Sequence, residues 1–122
     1  MAGPDFIMDT ILKLGQRVGY VCSNPDCLVR TVGPNEIQTK STLIGEAAHI
    51  RGANPGSDKS LPSARYDPDM TDEQRSHISN GIWLCNVCHK IIDSDPDKYP
   101  VDRLVKWKAD AEARAAAELA SA

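Results

Sequence analysis

Apolar positions along the chain switch between helical spacing and short clustered runs. Ile7, Ile11, Leu14 and Val18 recur at helical intervals, so a helix is expected over 4–18. Pro4 suits its first turn, and Gly15 weakens the helix without excluding it. Residues 28–40 are polar and contain Gly and Pro, a loop with room for one short strand. Ser41 to Ile50 reads as a strand carrying Leu43, Ile44, Ala47, Ala48, His49 and Ile50. The small residues Gly45, Ala47 and Ala48 leave space for a neighbour to approach closely. Residues 51–70 lack periodicity and are rich in Gly, Pro, Ser, Asp and Arg, which predicts a long loop of the functional or mobile kind.

Thr71-Asp72-Glu73-Gln74 matches a capping box and opens a short helix to about Ser79. Ile82 to Leu84 reads as a buried strand, followed by a helix expected to open near His89. Ser94-Asp95-Pro96-Asp97 breaks the chain. Pro100 then starts a last helix over 100–120, with Leu104, Trp107, Ala111 and Ala115 on one face. Its alanine-rich end carries no stop signal, which fits a frayed tail or a helix leading into a further domain of a longer parent protein.

At 122 residues the chain fits one domain, 1–122, with a modest core. One Phe, two Trp and three Tyr supply little aromatic bulk. A metal staple would therefore matter, since structural zinc can contribute roughly 10–16 kcal/mol of apparent binding energy that is also folding energy. Fourteen Lys and Arg against seventeen Asp and Glu give a net charge of −3, without the overall basic footprint usual in nucleic-acid binders. Bound cations, or a larger parent protein, are expected to add positive charge. No segment has the length of a membrane span, and no secretion signal is legible at the N-terminus. A cytoplasmic location and reduced thiols follow as expectations.

Four cysteines form two pairs, Cys22-x4-Cys27 and Cys85-x2-Cys88. Asn24-Pro25-Asp26 inside the first pair is turn chemistry, so both pairs read as knuckles. Together they offer four thiolates to one tetrahedral zinc, with no position left for water, hence a structural site. Cys85-Asn86-Val87-Cys88-His89 also fits a c-type haem attachment pattern, but that reading requires export and leaves Cys22 and Cys27 unexplained.

His89 and Asp93 lie four apart on the expected helix and so share a face, the spacing of two ligands for one divalent cation. If the strand ending at His49 packs on that helix, its imidazole faces the pair. A neutral imidazole beside a metal-held electrophile is equipment for metal-assisted hydrolysis. Arg51 and Arg65 flank this region, and the planar guanidinium suits phosphate. His77 lies among polar neighbours and reads as a solvated surface residue.

Ala48-His49-Ile50, Asn80-Gly81-Ile82-Trp83-Leu84-Cys85 and Cys88-His89-x3-Asp93 together resemble the HNH endonuclease family of ββα-metal nucleases. The context Gly45-Glu46-Ala47-Ala48-His49-Ile50, Arg65-Tyr66-Asp67-Pro68, Gln74-Arg75 and Trp107-Lys108 is similar to a bacterial subgroup with paired zinc cysteines, over roughly residues 15–112. The resemblance implies an α+β fold with a zinc-stapled ββα-metal core (residues 20–95) between terminal helices. It implies hydrolysis of DNA phosphodiester bonds with Mg²⁺, Mn²⁺ or Ni²⁺, with His49 as general base. His89 becomes a ligand of the catalytic cation, Asp93 a further ligand position, and Asn80 either a backbone clamp or a ligand. Family members often carry Asp or His as a ligand where Ala48 stands. Glu46 would substitute only from a distorted strand; the alternative is a water. Double-stranded DNA with weak sequence specificity is the expected partner, and an effector role in anti-phage defence, with a regulatory domain or partner protein, is among the family's roles. The competing expectation is a non-catalytic zinc module that binds nucleic acid or protein.

Overall fold

The computed structural model describes residues 5–53 and 64–122. Pro4 and the part of the expected 51–70 loop between 54 and 63 lie outside them. In chain order the elements are α1 (Met8–Gln16), β1 (Val32–Pro34), β2 (Ser41–Leu43), β3 (Gly45–His49), α2 (Asp72–Arg75), a 3₁₀ turn (Ile78–Asn80), β4 (Gly81–Cys85), α3 (Asn86–Ser94) and α4 (Val101–Ala120). The fold is a small mixture of helices with two two-stranded antiparallel sheets, β1–β2 and β3–β4.

The single strand expected over 41–50 is in fact two. β2 pairs with β1, setting Leu43 opposite Val32, whereas β3 pairs with β4 from Gly45 opposite Cys85 to His49 opposite Gly81. Ile44 is the point of exchange. Its N–H donates to the Thr31 carbonyl at 2.7 Å, and its own carbonyl accepts from Asn86 N–H at 2.8 Å. Apolar content is continuous across residue 44, so only the backbone partners reveal the switch.

Side chains alternate across a strand, and β3 divides the core accordingly. Ala48 packs on one face with Ile82, Leu84, Cys88, Ile92, Leu104 and Trp107. On the other face lie Ala47 and Trp83, covered by Phe6, Leu14 and Val18. The sheet β3–β4 is thus held between α1 on one side and α3 with α4 on the other. β4 is buried at every position, consistent with its apolar run.

The α1 stripe differs from expectation at one end. Ile7 is 69% exposed, while Phe6 is 8% exposed and joins the core. The helix begins only at Met8, so the helical phase that selected Ile7 does not apply to the extended residues before it. At the other end of the chain, Leu104, Trp107 and Ala111 are buried on α4 as its periodicity predicts. Lys108 on the same helix donates to the carbonyls of Ile78 at 2.5 Å and Gly81 at 2.6 Å, tying α4 to the start of β4. Burial lowers its pKa.

Gly45 permits the closest approach in the sheet. A Cβ there would collide with the Trp83 ring and the Thr31 hydroxyl. The same hydroxyl accepts from Trp83 Nε1 at 2.9 Å and donates to the Tyr20 carbonyl, so neither neighbour can yield without losing a buried bond. Gly45→Ala should therefore destabilise the fold by about 1–3 kcal/mol through overpacking. Gly33→Ala, where a Cβ meets open space, should stay within about 1 kcal/mol; urea denaturation of both variants checks the contrast.

Candidate metal centres

The first cysteine pair sits on a tight reversal closed by its own turn residues. Cys22 N–H donates to Val29 O at 2.9 Å, and the Asn24 carbonyl accepts from Cys27 N–H at 2.9 Å and Leu28 N–H at 3.1 Å. The Asn24 side-chain oxygen also accepts from Asp26 N–H at 2.9 Å. The second pair spans the junction of β4 and α3. Cys85 is the N-cap of α3, its sulfur accepting from Cys88 N–H at 3.4 Å. The helix consequently opens at Asn86, three residues earlier than its expected start at His89, because a thiol serves as the capping acceptor.

The four sulfurs lie within 4.8 Å of one another, and Cys27 Sγ is 4.0 Å from Cys85 Sγ. A tetrahedral zinc with bonds of about 2.3 Å separates its sulfurs by roughly 3.8 Å, so the cluster matches a zinc site to within a small contraction. Asn24 Nδ2 donates to Cys88 Sγ at 3.4 Å, the type of N–H···S contact that steadies a thiolate. Burial pushes the Cys22 thiol up to about 11 and raises Cys88 as well. Burial opposes ionisation at Cys85 too, but the hydrogen bond from the Cys88 backbone and the surrounding thiol contacts outweigh it and lower that pKa. A bound dication would ionise all four. Four thiolates around one Zn²⁺ leave a site of negative formal charge, so this metal does not supply the local positive charge that the composition seemed to call for. With Cys22 and Cys27 in the same cluster as Cys85 and Cys88, the haem pattern loses its basis.

A cluster of polar side chains lies on α3 beyond the second cysteine pair. His89 Nε2 is 3.2 Å from Asp93 Oδ2 on the next helical turn, which bears out the shared face. His89 Nδ1 is 2.9 Å from Glu46 Oε1 on β3. The strand is regular through this point; Glu46 needs no distortion to reach α3, because it stands on the same face as Ala48. Ala48 itself is 0% exposed and belongs to the core, so neither a water nor a ligand is required there. The hydrogen bond to Asp93 raises the His89 pKa, with Glu46 adding to it against burial. Burial works to raise the Asp93 pKa, but His89 and Arg65 outweigh it and hold it low.

Arg65 corrects an expectation. Its side chain is 4% exposed, and its donors are engaged: Nε to Ile50 O at 2.6 Å, one terminal nitrogen to Ile92 O at 2.9 Å and Tyr99 O at 3.3 Å, the other to Asp93 Oδ1 at 2.7 Å. A guanidinium so enclosed is not presented to a phosphate. Its backbone has φ of +59°, a strained value for a non-glycine residue that persists where the surroundings over-determine it. Arg51 remains accessible, 41% exposed and loosely paired with Asp67 at 3.9 Å.

His49 ends β3, paired with Gly81. Alternation puts it on the α1 side of β3, where its ring stacks on Phe6 with centroids 4.1 Å apart. Asn80 is bonded to the backbone of Arg51 and Arg75. Its Oδ1 accepts from Arg51 N–H at 2.9 Å, and its Nδ2 donates to Arg51 O at 3.1 Å and Arg75 O at 2.9 Å. With its amide buried and committed to backbone, it is not offered as a metal ligand. His77 is exposed as expected, though it caps the 3₁₀ turn by accepting from Ser79 N–H at 3.1 Å.

Among the described residues, the four thiols are the one group of His, Cys, Asp or Glu side chains, three or more strong, whose ligand atoms converge. The sequence matches no known protein-family model and no curated protein at a significant level. Purified protein should hold about one tightly bound zinc per chain. Cys22→Ser should lose it and lower the melting temperature; full zinc retention in that variant, measured by elemental analysis, would remove Cys22 from the site.

Proposed function

We propose that β3, β4 and α3 form the ββα-metal core of an HNH-type nuclease, and that the chain is a divalent-metal-dependent DNA endonuclease. The observation that carries this reading is the His89–Asp93 pair, whose ligand atoms lie 3.2 Å apart. Neighbouring ligands of an octahedral cation with bonds of 2.0–2.1 Å stand roughly 3 Å apart, so the two atoms fit one such ion. Bound Mg²⁺, Mn²⁺ or Ni²⁺ would supply Lewis-acid stabilisation of charge at the scissile phosphate.

The chain's own residues divide the remaining work. His49 would accept the proton of the water that attacks phosphorus, while the P–O3′ bond breaks and the 3′ oxygen departs to take a proton from solvent, leaving a 5′-phosphate. Asn80 fixes the backbone that leaves β3 just after His49 through its two bonds to Arg51. Arg51 contributes a phosphate contact, which positions a duplex without reading its bases, in keeping with weak sequence specificity. A cytoplasmic effector of anti-phage defence, governed by a further domain or partner, is the biological setting this reading favours.

A second reading, a non-catalytic zinc module binding nucleic acid or protein, is favoured by the internal pairing of the same groups: Glu46 with His89, and Arg65 with Asp93. Plasmid DNA incubated with Mg²⁺, Mn²⁺ or Ni²⁺ separates the two. Wild type should nick or linearise it, and His49→Ala should be slower by about 10²–10⁴-fold, the usual contribution of a general base. An intact plasmid in every metal decides for the interaction module. Cleavage by His49→Ala at the wild-type rate would displace His49 as the base.

A further inference from the structure

The two carboxylates beside His89 do not play the same part. Glu46 lies against Nδ1 and Asp93 against Nε2, on opposite edges of one ring. Glu46, His89 and Asp93 offer no three ligand atoms within 4.8 Å of one another, unlike the thiols. One cation can therefore use only one edge of the imidazole, and the carboxylate on the other edge must act through the ring.

Asp93 marks the edge that binds. It shares α3 with His89, one turn away, so the two atoms form a seat on a single rigid element. Asp93 Oδ1 is fixed at 2.7 Å by Arg65, whose guanidinium is in turn held by the carbonyls of Ile50, Ile92 and Tyr99. That leaves Oδ2 turned toward His89 Nε2 with little rotational freedom to lose on binding. Glu46 comes from a different element, and its side chain is half exposed.

Resting on the reading of His89 and Asp93 as the cation seat, we propose that Glu46 is its positioning residue. Its carboxylate accepts from His89 Nδ1–H, fixes the tautomer that leaves Nε2 as the ligand atom, and strengthens that atom as a donor. A metal-ligating histidine commonly gives its other N–H to such an outer carboxylate, and loss of the partner typically weakens metal binding by about 10–100-fold. The arrangement also accounts for a core alanine at position 48: the acidic residue that serves the site stands two positions earlier on the same face of β3.

Zinc-loaded protein titrated with Mn²⁺, with free Mn²⁺ followed by electron paramagnetic resonance, tests the assignment without relying on cleavage. Glu46→Ala should weaken Mn²⁺ binding by about 10–100-fold with zinc content and melting temperature retained. Glu46→Gln, whose amide oxygen still accepts from Nδ1–H, should keep most of the affinity, and Asp93→Ala should abolish binding. Long-range ¹H–¹⁵N spectra of wild type with the diamagnetic Mg²⁺ should show His89 protonated at Nδ1. Wild-type affinity in Glu46→Ala would overturn the role of Glu46 and leave the cation seat standing. A loss in Glu46→Gln as deep as in Asp93→Ala would also overturn it, by making Glu46 a direct ligand. Protonation at Nε2 in the Mg²⁺ complex would do the same. No Mn²⁺ binding by wild type would remove the seat itself, and with it the endonuclease reading.

Discussion

The convergence of four sulfurs from two distant segments is the constraint on which this structure depends. Cys22 and Cys27 belong to a loop closed by local bonds at Val29 and Asn24, and Cys85 and Cys88 sit where β4 becomes α3. Three of the four are buried, and Cys22, Cys85 and Cys88 belong to the main apolar cluster, so the clasp lies within the core. The backbone reinforces it, with Ser23 N–H donating to the Trp83 carbonyl at 3.0 Å. Because Cys85 both joins the cluster and caps α3, the helix starts at a position fixed by the cluster. His89 follows Cys88 directly, and Asp93 follows one turn later. The geometry that tethers the loop thereby also sets where the second pair of polar groups emerges.

β3 connects the two halves of the polar machinery. Its alternation sends Glu46 and Ala48 toward α3, and Ala47 and His49 toward α1. Five residues thus reach the thiol-anchored helix on one side and the Phe6 contact on the other. Arg65 closes this arrangement from below, joining Ile50 at the end of the strand to Ile92 and Asp93 on the helix. A buried arginine with every visible partner a carbonyl or carboxylate is well satisfied, and removing it would strand those acceptors. Its value is structural order around the pair.

What the sequence disclosed follows from range. The cysteine knuckles, the capping box at Thr71, the α4 stripe and the His89–Asp93 face all depend on chemistry within a few residues, and each could be read from spacing. The exchange of sheets at Ile44 could not, because it is decided by Thr31 and Asn86, far away in the chain. The same holds for His49, whose face is set by the register of β3 on β4, and for Arg65, whose enclosure requires three separate carbonyls to meet. Phe6 was hidden for a different reason: it precedes the helix, so helical phase has no bearing on it. Glu46 stood within reach of inference. Strand alternation alone puts it on the face of Ala48, once a regular strand is granted.

Charge bears on how such a chain could engage DNA. The protein carries −3 overall, a thiolate-bound zinc adds nothing positive, and Arg65 is withdrawn from the surface. Arg51 is the one arginine of the candidate phosphate contacts left accessible. Each neutralised phosphate contributes to affinity through release of condensed counterions, so a net charge of −3 works against duplex affinity. Weak intrinsic affinity suits a domain whose encounter with DNA is arranged by something attached to it, since tethering replaces contact energy with effective concentration. The endonuclease reading is therefore compatible with a second binding element that supplies part of the affinity.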